Sequence, residues 1–158
     1  MIKKKIKLIF IIFMSLTLTN CGYKNVGSSS KNKFQVEKIN IKGNAKDAYI
    51  LKNEILLYSS KNTVNLIELD ITINNISETK EKNIKNLVTK YQNIYNVSMK
   101  MKIINEDKII SKSFRTTDSY LRSTNHSDTL MNRKKSAENM VLKMADEIVN
   151  YITIYFNI

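Results

Sequence analysis

Few side chains in this sequence can do covalent or metal chemistry. There is one cysteine, Cys21, and one histidine, His126. A structural or catalytic metal site draws on clustered His and Cys ligands, and the sequence has no such cluster, so no metal and no cofactor are expected. A phosphate-cradling loop needs closely spaced glycines, and Gly22, Gly27 and Gly43 are too few and too far apart. His126 lies in Ser123-Thr124-Asn125-His126-Ser127-Asp128, a polar stretch that reads as a loop. A small lipid-modifying hydrolase using His126 can be written down from these residues, but no nucleophile-elbow motif accompanies them. The carboxylates Glu78, Glu81, Glu106 and Asp107 read as turn residues that aid solubility. The expectation is a protein that is not an enzyme.

That leaves Cys21 as the reactive residue. Lys3, Lys4, Lys5 and Lys7 open the chain, Leu8 to Leu18 is almost wholly apolar, and Leu18-Thr19-Asn20-Cys21-Gly22 follows. A charged start, a short apolar run and a small-residue exit make a secretory signal peptide. The run is too short to span a hydrocarbon core of about 30 Å as a permanent helix. Leu18-Thr19-Asn20-Cys21 resembles the bacterial lipobox, with leucine at −3 and cysteine at +1. Asn20 stands where that motif usually carries Gly, Ala or Ser. The motif implies that the Cys21 sulfur takes a diacylglycerol, that the chain is cut before it, and that the new amine is acylated, for example by palmitate. A free thiol is a liability in an oxidising compartment, whereas a lipidated one is not. Each buried CH₂ contributes about 0.8 kcal/mol, so several acyl chains anchor firmly where one is marginal. In bacteria that sort lipoproteins by the next residue, aspartate there retains the protein in the inner membrane. Gly22 is not aspartate, so the expected location is the outer membrane, lipid-anchored and facing the periplasm.

The formal charge of +12 falls to +8 once the four signal lysines, Lys3, Lys4, Lys5 and Lys7, have left. A basic exported protein meets anionic lipid, lipopolysaccharide or an acidic partner rather than nucleic acid. Lys100, Lys102, Lys112 and Arg115, with Tyr91 and Tyr95, sketch a basic, aromatic sheet surface of the kind that binds single strands. The export signal argues against that use, and the same cations can meet phosphates of lipid A.

The elements that would hold these residues follow in order. Residues 1–20 are the signal peptide, and 21–33, containing Gly27-Ser28-Ser29-Ser30, form a lipidated flexible tether. Residues 34–158 are long enough for a single domain with a real core. Phe34, Val36, Ile39 and Ile41 mark a strand whose alternation breaks between Val36 and Ile39, the sign of a bulge. Gly43 turns the chain, and Asn44 caps a helix from about Ala45 to Ser59 with a stripe of Ala48, Leu51, Ile55 and Tyr58. Ile67, Leu69, Ile71 and Ile73 alternate with polar residues as a half-buried strand. Ser77 to Asn83 is either a long hairpin loop or a continuation of the strands. Leu87 to Ile104 carries Tyr95, Val97, Met99, Met101 and Ile103 at period two. After a polar turn at Asn105–Lys108, Ile109 to Tyr120 returns as the last strand of an antiparallel meander with one wet face. From Asp128 the period becomes helical, through Ala137, Met140, Val141, Met144, Ala145, Ile148, Val149 and Ile152. The order is β-α-β-β-β-α, an α+β domain whose two helices need one sheet face to cover.

Taken together, Cys21-Gly22-Tyr23 after a lipobox, the strand, the helix, the three-stranded meander and the final amphipathic helix resemble the lipopolysaccharide-assembly lipoprotein LptE family. The likeness is to its alphaproteobacterial-type branch. Tyr49-Ile50-Leu51-Lys52-Asn53-Glu54-Ile55 is similar in style to the family's first helix, and Arg133 to Ile148 to its second. The resemblance covers the mature chain by pattern and order, with few shared identities. It implies a four-stranded mixed sheet with two helices packed on one face. It implies a protein that plugs and supports the β-barrel LptD and assists lipopolysaccharide assembly, with basic residues near strand-connecting loops meeting lipid A. By charge and location, Lys100, Lys102, Lys112 and Arg115 are the residues expected to do so. Without the barrel partner, the same features describe a generic periplasm-facing binding or stress lipoprotein.

Overall fold

The computed structural model describes residues 33–61 and 63–157. The expected signal peptide (1–20), Cys21 and all but the last residue of the expected tether (21–33) lie outside the described residues; that last residue, Lys33, is bonded to the folded body through its carbonyl, which accepts from Thr63 and Asn65. Four strands and two helices follow in the expected order: β1 (Gln35–Lys42), α1 (Ala45–Leu57), β2 (Leu66–Lys82), β3 (Val88–Ile103), β4 (Lys108–Leu121) and α2 (His126–Tyr155). A short 3₁₀ turn, Ile104–Glu106, joins β3 to β4. The strands lie side by side in sequence order. β1 runs parallel to β2, while β2–β3 and β3–β4 are antiparallel, so the sheet is mixed.

Strand parity builds the core. Ile67, Leu69, Ile71 and Ile73 of β2 and Tyr95, Val97, Met99, Met101 and Ile103 of β3 are all buried. The pairing sets Ile67 beside Ile103 and Ile73 beside Val97, so both sets point to one face. Both helices cover that face. α1 contributes Leu51 and Ile55, and α2 contributes Met140, Val141, Met144, Ala145, Ile148, Val149 and Ile152. Each buried side chain of this kind contributes about 1.5–3 kcal/mol relative to an exposed one. The other face carries Lys38, Glu68, Asp70, Ser98, Lys100 and Ser111 and stays wet.

Several boundaries now have causes. The register of β1 against β2 slips between Val36 and Lys38, where the alternation breaks. Asn44 caps α1, its Oδ1 accepting the Lys46 and Asp47 N–H groups at 3.0 and 3.4 Å. α1 stops at Leu57, with Tyr58 as its C-cap. The stretch from Ser77 to Lys82 is strand, so the two strands continue to a tight turn at residues 83–87. There Asn83 Oδ1 accepts the Lys85 and Leu87 N–H groups, both at 3.0 Å, and Asn86 takes a left-handed φ of 60°. Glu78 and Glu81 are accordingly strand residues, while Glu106 and Asp107 are indeed in a turn. His126 is not in a loop. Asn125 accepts the Ser127 N–H at 2.9 Å, and the helix starts at His126, two residues before Asp128.

Gly43 joins β1 to α1 at φ +146°, and a Cβ there would sit 2.9 Å from both the Cβ and the carbonyl oxygen of Ile73. Gly43→Ala is therefore expected to cost about 1–3 kcal/mol, through strain and the clash with β2 backbone. Urea denaturation followed by circular dichroism measures it. An unchanged midpoint would mean that the turn tolerates a side chain and that this account of it is wrong.

Candidate functional site

The sheet and helices bring polar residues together at the end where β2 runs into β3 and β4 runs into α2. β2 and β3 outrun the helices here, and the first turns of α2 reach back towards them. Between them lies an open cleft of about 470 Å³. Ser77, Glu78 and Thr79 line it from β2, Tyr91 from β3, Tyr120 and Arg122 from the end of β4, and His126 and Arg133 from α2. Tyr91 and Tyr120 stack with ring centroids 5.4 Å apart, giving the cleft a flat aromatic wall. The Tyr120 and Ser77 hydroxyls meet at 3.4 Å. Arg122 is held by its backbone, whose N–H donates to the Thr89 carbonyl at 2.9 Å. Thr129 Oγ1 accepts the Ser123 N–H at 2.9 Å, which fixes the approach to α2.

The charge of this cleft is positive. Of the chain's three arginines, Arg122 and Arg133 are here. Neither has an ion-pair partner among the described residues. Backbone N–H groups of the first α2 turn add partial positive charge. Glu78 offsets part of it. Such a cleft suits an anion with several oxygens, because a guanidinium presents a planar fork to phosphate or carboxylate. No hydrogen bond joins His126 to Ser77, Ser123 or Glu78, and the imidazole is exposed.

Arg133 also lines a groove of about 240 Å³ between the helices, with Asn44, Asp47, Asn75 and Lys134. The groove floor is a polar chain that runs from the surface into the core. Tyr95 OH donates to Asp47 Oδ2 at 2.7 Å, and Asn75 Nδ2 donates to Tyr95 OH at 2.8 Å. Burial, followed by the hydrogen bond and the charge of Asp47, pushes the Tyr95 phenol well above its ordinary value of 10.0. Lys46 and Glu138 pair across the two helices at 3.5 Å, both well exposed.

The four basic residues singled out in sequence do not form one cluster. Lys100, Lys102 and Arg115 stand on the wet sheet face. Lys112 pairs with Met99, so it stands on the helix-covered face, with its ammonium 5.6 Å from the centre of the Tyr151 ring. Strand parity places Lys112 on the same face as Ile110 and Phe114 and on the opposite face from Arg115. Lys102 is tied to Asp107 at 3.1 Å. Lys100 pairs in register with Asp70, whose carboxylate accepts Asn40 Nδ2 at 2.9 Å. Tyr95 is core and Tyr91 belongs to the cleft wall, so neither contributes to the wet face. The sequence reading missed Arg122 and Arg133 as a pair. The available signal was residue type, since arginine is scarce in a chain so rich in lysine.

No protein-family model matches the chain, and no curated protein sequence matches it significantly. Solved structures do. Rare lipoprotein B from Shewanella oneidensis superposes with a TM-score of 0.59 at 12% identity, over 75% of this chain and 95% of that one. A lipoprotein B from Nitrosomonas europaea gives 0.59 at 9% identity, over 78% and 85%. A candidate lipoprotein from Caulobacter crescentus gives 0.57 at 9% identity, over 77% and 90%. The chain thus has the fold of these bacterial lipoproteins.

Tyr95→Phe would leave the Asp47 carboxylate buried without its donor, and should cost about 1–3 kcal/mol at neutral pH. The Tyr95 pKa is raised in the folded state, so its contribution is complete below pH 10 and declines as the unfolded phenol ionises above it. Stability should fall with rising pH above 10 by up to about 1.4 kcal/mol per unit from this group. The difference between the wild-type and Tyr95→Phe slopes in urea titrations from pH 8 upward isolates it. Parallel slopes would show that Tyr95 ionises normally.

Proposed function

We propose that this chain is an outer-membrane lipoprotein of the LptE type, acylated at Cys21, that plugs an LptD-like β-barrel and assists lipopolysaccharide assembly. In this reading it makes and breaks no bond. Two lines support it. One is the lipobox and element order of the sequence, with the family resemblance they carry. The other is the fold shared with rare lipoprotein B.

The observation that carries the lipid-handling part is the pair Arg122 and Arg133, unpaired in a polar cleft at the strand-connecting end. Lipid A presents phosphates, and a charge-assisted bidentate contact is worth roughly twice a neutral hydrogen bond. The stacked Tyr91 and Tyr120 rings supply an amphipathic wall beside the phosphate. Lys100 and Arg115 on the wet face are secondary contacts for phosphate or for the barrel wall. The domain's part is to hold the headgroup by charge while the barrel supplies the path.

A mild-detergent pull-down of the tagged full-length protein, with and without Cys21→Ala, followed by mass spectrometry, tests the partner. A large outer-membrane barrel should be recovered in near-equal amount. Lipid without a barrel would sink the plug reading and leave a periplasmic binding or stress lipoprotein. In the same preparations, Arg122→Ala with Arg133→Ala should lower retained lipopolysaccharide by about tenfold or more, the equivalent of one lost charge-assisted contact. Retention equal to wild type would remove the cleft from the proposal. His126→Ala should change neither quantity.

A further inference from the structure

The exposed large apolar side chains are not spread evenly. Apart from Tyr49 and Leu142, they gather at the two ends of the domain. One group surrounds the cleft. The other lies at the opposite end, where β1 and β2 begin, β3 turns into β4, and both helices finish. Leu57, Val64, Ile109 and Ile154 are its most exposed members, at 72%, 79%, 66% and 59%. They come from four separate segments that the fold brings to one end.

This is also the end at which the segment from Cys21 joins the domain. The Lys33 carbonyl accepts Thr63 Oγ1 at 2.9 Å and Asn65 Nδ2 at 2.7 Å, and its ammonium donates to Asn157 beyond the end of α2. Lys33 is therefore fixed to the folded body. Cys21 is twelve positions earlier in sequence, so even a fully extended segment keeps this end within about 40 Å of the acyl chains. The charges here carry a small positive excess: Lys33, Lys38, Lys61, Lys102 and Lys108 stand against Glu37, Glu68, Glu106 and Asp107, with Lys102 tied to Asp107. The Lys108 ammonium lies 5.5 Å from the centre of the Tyr155 ring, and Tyr155 packs edge-on against Phe156. Apolar tips among lysines and tyrosines are what a bilayer interface accommodates, with the stems in the headgroup layer and the charges in water.

We infer that the end of the domain built from Leu57, Val64, Ile109 and Ile154 docks on an anionic bilayer surface. The domain is then oriented by its own side chains as well as tethered by Cys21. The inference rests on the lipid-anchor part of the proposed function. Lipid is the occupant argued for, because the anchor holds the leaflet at a high effective concentration beside this end and because the excess charge is positive. Interfacial seating of this kind buries apolar side chains about 5–10 Å into the boundary between headgroups and acyl chains. α2, thirty residues long and so about 45 Å, then holds the cleft away from the leaflet.

The chain contains no tryptophan, so a single introduced indole reports depth without background. Leu57→Trp, Ile109→Trp and, at the far hairpin tip, the fully exposed Ile84→Trp would each be prepared as the mature, lipid-bearing protein. Each would be reconstituted into vesicles of phosphatidylethanolamine and phosphatidylglycerol, with and without brominated acyl chains. All three sites are open to solvent, and circular dichroism checks that each variant is folded. The expected result is blue-shifted emission and a clear loss of intensity on brominated lipid for Leu57→Trp and Ile109→Trp, with Ile84→Trp unaffected. Equal quenching at both ends, or none at Leu57→Trp and Ile109→Trp, would overturn the inference. A blue shift without bromine quenching would mean that protein, such as a second copy, covers this end, and would overturn it equally. Intact mass of the same samples reports the anchor separately: unmodified Cys21 with quenching preserved would refute the anchor and leave the docking surface standing.

Discussion

The structure depends on one constraint: the sheet has a single apolar face, and that face needs both helices. β2 and β3 set it, because their alternating residues fall into register and point the same way. A shift of one residue in either strand would turn Tyr95, Met99 and Met101 into water and bring Lys100 and Lys102 into the core. The parallel placement of β1 follows from the same constraint. α1 must cross the apolar face after β1, so the chain returns to the starting end before β2 begins. The bonds from Val36 N–H to Ser59 Oγ at 2.9 Å and from Ser60 N–H to the Phe34 carbonyl at 3.0 Å close that crossing.

With one face covered and the other wet, the two ends of the domain carry most of the exposed large apolar side chains. α2 is longer than the core it covers. Its buried residues start at Ser136, and its first three turns project over the cleft. β2 and β3 extend with it as an arm, edged by β4 as far as the Lys90–Leu121 pair, that carries Ile84 at its tip. Such arms and helix starts are weakly held by packing, and they are where contacts with large partners are usually made. The wet face offers less. Its lysines alternate with Glu68 and Asp70, and pairs such as Lys102 with Asp107 use up their charge locally.

A few polar groups inside the core are not explained by packing alone. Asn93 is 1% exposed, donates to Ser136 Oγ at 3.3 Å, and has an Oδ1 with no partner among the described residues. Asp47 and Tyr95 form a bonded pair under α1. Buried polar pairs of this type cost desolvation and fix orientation in return. Here they tie α1 to β3 and α2 to β3 at chosen points, where an all-apolar contact would allow sliding.

The α+β class, the order of elements, the bulge in β1, the Asn44 cap and nearly all of the buried residues were legible in the sequence. Each is a matter of local periodicity or local hydrogen bonding, and both are properties of neighbouring residues. The extent of β2 beyond Ser77 was not legible, because a charged strand and a charged loop have the same composition; pairing with β3 decides between them. The candidate cleft was not legible either. Ser77, Tyr91, Arg122 and Arg133 lie on four different elements, and only the antiparallel return of β3 and the start of α2 bring them together. The reading that grouped Lys112 with Arg115 failed on strand parity, which sends adjacent odd and even residues to opposite faces. Sequence alone determined which residues are apolar, which cap and which carry charge. The tertiary structure decided which of those charges meet, because proximity across strands is set by register and not by distance along the chain.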